Sequence, residues 1–153
     1  FPLAQGNWTV DVVIVNDKHL PADEELVAAV QAHIDPDSTG LGDGRTAIGA
    51  HCYASSATAQ AITVAATLTL SDPDTLEAVK AAATEALTAY LYALPFADKQ
   101  TAVVSYAQVG ALLLDIPGVI DYTGLLLGGG TANIQIGDRA VAVLGEVTLD
   151  VAG

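Results

Sequence analysis

Apolar and polar positions along the chain follow two periods. In "NWTVDVVIVND", Trp8, Val10, Val12 and Ile14 fall on one face of an extended segment, and Val13 and Val15 make the other partly apolar. Two apolar faces predict an interior strand. "LPADEELVAAVQAHI" switches to helical spacing, with Leu26, Val27, Val30 and Ile34 in one stripe. Asp23, Glu24 and Glu25 crowd its first turn, where the helix dipole favours anions. "AHCYASSA" has weak strand character. "AITVAATLTL" is stronger: Ile62, Val64, Ala66, Leu68 and Leu70 alternate with Thr63, Ala65, Thr67 and Thr69. That is the period of a half-buried strand, with threonines toward water.

The longest helix is expected over "SDPDTLEAVKAAATEALTAYLYAL". Asp72 can cap it, Pro73 suits its first position, and Leu76, Val79, Ala83, Leu87, Tyr90 and Leu94 recur at steps of three and four. Pro95 stops it. A shorter helix is read in "SYAQVGALLLDI", where Ser105 and Gln108 have capping-box spacing. Pro117 cannot continue that helix, and Gly118 can take a left-handed turn. The tail returns to strands in "VIDYTGLLL", "ANIQIG" and "RAVAVLGEVTLDVA", with Gly128 to Gly130 as a turn. Strands and helices alternate without a repeated βαβ unit. The pattern predicts an α+β two-layer sandwich, helices packed on a mixed sheet. It reads as one domain or as two small lobes over a shared core. Those lobes would be 1–57, a β-α-β lobe with a Gly-rich connection, and 58–153, a β-α-α-β-β lobe. Gly40 to Gly49 is the plausible seam.

That Gly-rich connection, "DPDSTGLGDGRTAIGAH", is the first place to look for chemistry. A phosphate-binding P-loop follows a strand, opens a helix and carries lysine. Here Gly40 to Gly44 is one residue short, Arg45 replaces lysine, and a helix precedes what looks like a strand. Calcium fits better. Asp35, Asp37 and Thr39 take alternate positions of a D-x-D-x-x-G loop, Gly40 sits at its turn, and Asp43 adds a carboxylate. The twelfth position, which should give a bidentate glutamate, is Thr46. A hydrated surface loop is the favoured reading, with a calcium-dependent or small-ligand module as the alternative. Gly44, Ile48 and Gly49, and later Pro117 and Gly118, are read as structural turns.

Other chemistry finds no matching spacing. His51 and Cys52 are neighbours on a strand and face opposite sides, so Cys52 reads as a small buried apolar residue. His19 and His33 flank a helix without a zinc pattern. No nucleophile-elbow or H-E-x-x-H motif occurs. No catalytic residue and no cofactor are assigned, and the chain is read as non-enzymatic.

Charge narrows the partners. Eighteen Asp and Glu face five Lys and Arg, a net charge of −13. Lys18, Arg45, Lys80, Lys99 and Arg139 are scattered, so no cationic cluster displaces counterions from phosphates. Nucleic acid and anionic membrane are disfavoured, and no apolar run is long enough to cross a bilayer. A single cysteine permits no internal disulfide. The chain starts at Phe1 and contains no methionine, which predicts a piece of a longer product.

The run "GRTAIGAHCYASSATAQAITVAATLTL" resembles the baseplate J-like proteins of contractile phage tails. That family has a G-x-x-P-I-G-A element leading into a strand; here Thr46-Ala47-Ile48-Gly49-Ala50 stands there, with Ala47 in place of proline. The segment "VSYAQVGALLLDIPGVIDY", above all Ile116 to Asp121, and the closing "IGDRAVAVLGEVTL" resemble the family's carboxy-terminal half. The resemblance implies a structural role in the wedge of a baseplate, linking hub, sheath and receptor-binding parts. It implies hetero-oligomeric contact with other baseplate proteins (wedge, hub and sheath-initiating components). It also implies a place in the virion after assembly in the host cytoplasm. The Ile116–Asp121 turn would then present an exposed strand for packing or strand addition.

Overall fold

The computed structural model describes residues 1–3, 5–96 and 102–152; Lys99 lies outside them. Among these residues the fold is α+β, as expected, and divides into two units, Phe1–Thr58 and Ala59–Gly153.

In the first unit, β1 (Thr9–Ile14) pairs in parallel with β2 (His51–Ser56), from Thr9 opposite His51 to Ile14 opposite Ser56. Parallel neighbours need a long crossover. Helix α1 (Glu24–Ile34) and the loop after it supply that crossover, and α1 packs on β2. Asp23 is the N-cap of α1 and accepts from the Leu26 amide at 2.8 Å, which satisfies a donor the helix cannot pair itself. The loop from Asp35 to Ala50 lies inside this unit, not at a seam.

The expected faces of β1 are reversed. Thr9 and Asp11 are its buried side chains, while Trp8 precedes the strand at φ +65° and is 75% exposed. The cause is polar. The Thr9 hydroxyl donates to the Gly6 carbonyl at 2.7 Å, and Asp11 Oδ1 accepts from Gln5 Nε2 at 2.9 Å. A short bridge from Pro2 to Val10 brings the preceding residues alongside. Once paired, these polar groups can be covered.

The second unit is a two-layer sandwich. Its sheet has the order β5-β3-β7, built from β3 (Thr58–Leu70), β5 (Val119–Leu127) and β7 (Ala140–Val151). β3 and β5 are antiparallel. Gly145 lies against Ile62, and the Ala152 amide donates to the Leu68 carbonyl. Contacts that advance together in this way make β3 and β7 parallel, so the sheet is mixed. β3 carries the expected alternation: Ile62, Val64, Ala66, Leu68 and Leu70 are all buried. Above them lie Val79, Ala83, Leu87 and Leu91 of α2 (Leu76–Tyr92) and Val109 and Leu113 of α3 (Tyr106–Leu114). α2 covers β7 and α3 covers β5. Two short strands, β4 (Val103–Val104) and β6 (Ile134–Gln135), pair antiparallel; the sequence reading included no strand at β4.

The start of α2 differs from expectation. Pro73–Thr75 form a 3-10 turn, and the Asp72 carbonyl accepts from both the amide and the hydroxyl of Thr75, at 3.1 and 2.6 Å. The α-helix proper begins one turn later. Ser105 does cap α3, accepting from the Gln108 amide at 3.3 Å.

Candidate functional site

The loop after α1 is a folded structural element. Asp35 ends the helix and is 1% exposed. Its Oδ1 accepts from the Gly40 amide at 3.2 Å and its Oδ2 from the Cys52 amide at 2.9 Å. The Ile34 carbonyl accepts from the amides of Arg45 and Thr46, at 2.8 and 3.0 Å, and from the Thr46 hydroxyl at 2.9 Å. Gly44 is required by this arrangement, because a Cβ there would collide with the Ile34 carbonyl oxygen. Gly49 stands at φ +88° and donates to the Gly40 carbonyl at 2.8 Å. The Ile48 side chain is 85% exposed and lies over Gly42.

The candidate cation ligands are not brought together. Asp37, Thr39 and Asp43 are exposed, whereas both oxygens of Asp35 are turned to backbone amides. Among the described residues no three His, Cys, Asp or Glu side chains group as a metal site. His51 contacts the Ser38 carbonyl through Nδ1 at 2.7 Å, and Cys52 is buried.

Gln31 is the residue the sequence reading passed over. Its Oε1 accepts from the Ala54 amide at 2.7 Å, and its Nε2 donates to the Cys52 carbonyl at 2.9 Å. Ser38 Oγ donates to the same carbonyl at 2.9 Å. Side chains therefore stand in for a third strand along β2, which removes a bare edge. The signal was present: Gln31 is four residues after Val27, a polar residue on the apolar stripe.

In the second unit, Pro117 and Gly118 make the turn between α3 and β5. Gly118 has φ +95°, and its carbonyl accepts from the Ser71 amide at 2.9 Å. Beyond it β5 exposes Ile120, at 63%. The strand is irregular, with register shifts opposite Ala65–Thr67 and Thr69–Leu70. Its backbone is also partly engaged. The Leu125 carbonyl accepts from the Tyr106 hydroxyl at 2.9 Å, the Tyr122 amide donates to Asp121 Oδ1 at 2.8 Å, and Leu127 bridges to Gly130. Bulges and capped groups disfavour strand addition along this edge. On the helical side of the unit, α2 and α3 flank two adjoining hollows of about 440 and 390 Å³.

Residues 62–150 match the family model of the baseplate J-like protein C-terminal domain. The chain belongs to the baseplate J-like family. The match runs from β3 into β7 and so covers the sandwich. Over 149 residues this baseplate J-like chain is 28% identical to the phage-like element PBSX protein XkdT of Bacillus subtilis (strain 168), covering 97% of this chain and 42% of that protein. It is 26% identical, with the same coverage, to the uncharacterized protein YqbT of the same strain. It thus spans less than half the length of these relatives. Its fold is similar to a chain in the cryo-EM structure of the anti-feeding prophage (AFP) baseplate, 6-fold symmetrised. There the TM-score is 0.63 at 15% identity, over 94% of this chain and 31% of that one.

Proposed function

We propose that this chain is a structural part of a contractile-tail baseplate, in the wedge that joins hub, sheath and receptor-binding parts. The family match across residues 62–150 carries the proposal, and the fold likeness to a 6-fold symmetrised baseplate structure supports it. In that setting several copies surround the tail axis, and the work is mechanical. Contacts form on assembly and rearrange when the sheath contracts.

The physical character of the molecule suits such work. A sheet backed by two helices is a stiff body, because a close-packed interior transmits strain. The net charge of −13 favours neighbours with basic faces. No catalytic step is assigned. No helix among the described residues is long and apolar enough to cross a membrane. The site of action we propose is the virion baseplate, built in the host cytoplasm from several different proteins.

The test is an in-frame deletion of residues 62–150 in the producing strain, with particles counted by electron microscopy. The proposal expects sheathed tails to be lost. Normal numbers of complete, contractile tails would overturn it.

A further inference from the structure

The two hollows on the helical face share Leu112 and Asp115, so they form one trough between α2 and α3. Its lining includes Ala82, Ala86, Ala89 and Leu112, with Glu85 and Asp115 beside them. From Ala82 to Ala89 is about 10 Å of helix, room for two turns of a helix laid alongside.

The surface around the trough is unusually poor in charge for an outward helical face. Between Lys80 and Tyr92, α2 carries Glu85 as its one charged residue, and α3 carries none. Thr84 and Thr88 turn their hydroxyls back to the carbonyls of Lys80 and Thr84, at 2.8 and 2.7 Å. Hydroxyls used in this way leave methyl groups outward. The Tyr90 hydroxyl accepts the Ser105 amide at 2.9 Å, tying α2 to the cap of α3. Glu85 and Asp115 have no ion-pair partner among the described residues; Lys80 lies by Glu77 at 3.4 Å.

We propose that this trough docks an amphipathic helix of a different protein chain. That helix carries apolar residues at steps of three and four, with Lys or Arg beside them to meet Glu85 and Asp115. A small-residue floor admits an apolar ridge closely, and helix-in-groove recognition needs no free backbone groups from the receiving surface. The helices α1, α2 and α3 of a second copy do not carry that pattern. Across α1, α2 and α3 the only Lys or Arg is Lys80, so a second copy would set acid against acid at −13 per chain. The proposal rests on the baseplate reading for where the partner is found.

The experiment uses assembled particles with a photo-reactive benzophenone residue at Ala89 of the full chain. The expected result is a cross-link to another protein, mapped by mass spectrometry to an apolar segment with Lys or Arg within about one helical turn. Glu85→Lys with Asp115→Lys is expected to lower the yield at least tenfold, with the chain still incorporated. If that pair fails to fold, Glu85→Gln with Asp115→Asn is expected to lower it in the same direction. A cross-link to a second copy, to an acidic or uncharged segment, or to nothing while the chain is in the particle would overturn the trough. So would yields unmoved by charge. Particles lacking the chain altogether would overturn the baseplate reading, and the trough with it.

Discussion

Asp35 and Cys52 are 17 positions apart, yet the Asp35 carboxylate accepts the Cys52 amide proton at 2.9 Å inside the protein. The same carboxylate holds the Gly40 amide. One side chain thus ends α1, closes the loop and anchors β2. Asp35→Ala should cost about 1–3 kcal/mol for each buried amide left unpaired, whereas Asp43→Ala, on the surface, should stay within about 0.5 kcal/mol. Urea unfolding measures both. The same geometry bears on calcium. With both oxygens of Asp35 occupied, millimolar calcium should leave the melting temperature unchanged; a rise that follows concentration would revive a bound-ion reading.

Gln31 closes the edge of β2 through both atoms of its amide. Gln31→Leu keeps the volume and removes the bonds. It should destabilise the protein by about 1–3 kcal/mol and speed hydrogen exchange at the Ala54 amide about tenfold or more. An unaltered Ala54 exchange rate would show that the clamp contributes nothing.

Gly110 and Tyr122 form a close packing pair. A Cβ on Gly110 would collide with the Tyr122 hydroxyl, so α3 approaches β5 through a missing side chain. Gly110→Ala should be destabilising despite alanine's better helix propensity. Tyr122→Phe should recover part of the loss in the double variant, because it removes the colliding oxygen. Additive effects in a thermodynamic cycle would contradict the contact.

At Gly118 the left-handed turn sets where β5 begins. Gly118→Val places a β-branched residue at φ +95°, a strain of about 1–3 kcal/mol or more. Soluble yield, melting temperature and tail assembly should all fall. Normal assembly with that variant would mean that the turn is not needed.

Much of the sandwich was legible. The strict alternation from Ile62 to Leu70 gave the central strand, since a sheet covered on one side by helices sorts side chains by parity. The stripe through Val79, Ala83 and Leu87 gave the helix above it. The first strand was misread because apolar character alone chose the buried face. Thr9 and Asp11 are covered once their bonds are made, and those bonds depend on tertiary neighbours. Gln31 was legible only as an oddity on an apolar stripe; its partners lie 21 and 23 residues away. By spacing alone the loop is a hydrated connection. Its glycines and aspartates suited that reading, and the buried role of Asp35 left no mark in spacing. The trough leaves no mark in the sequence, because alanines on a helix read as propensity, not as a surface.

The proposed role requires this chain to be built into a baseplate. Cryo-EM of purified contractile particles from the producing strain tests that directly. The reconstruction should contain, in every symmetry-related baseplate position, density that fits the β5-β3-β7 sheet with α2 and α3 on one face. A baseplate fully explained by other chains, with no density for this sandwich, would contradict it.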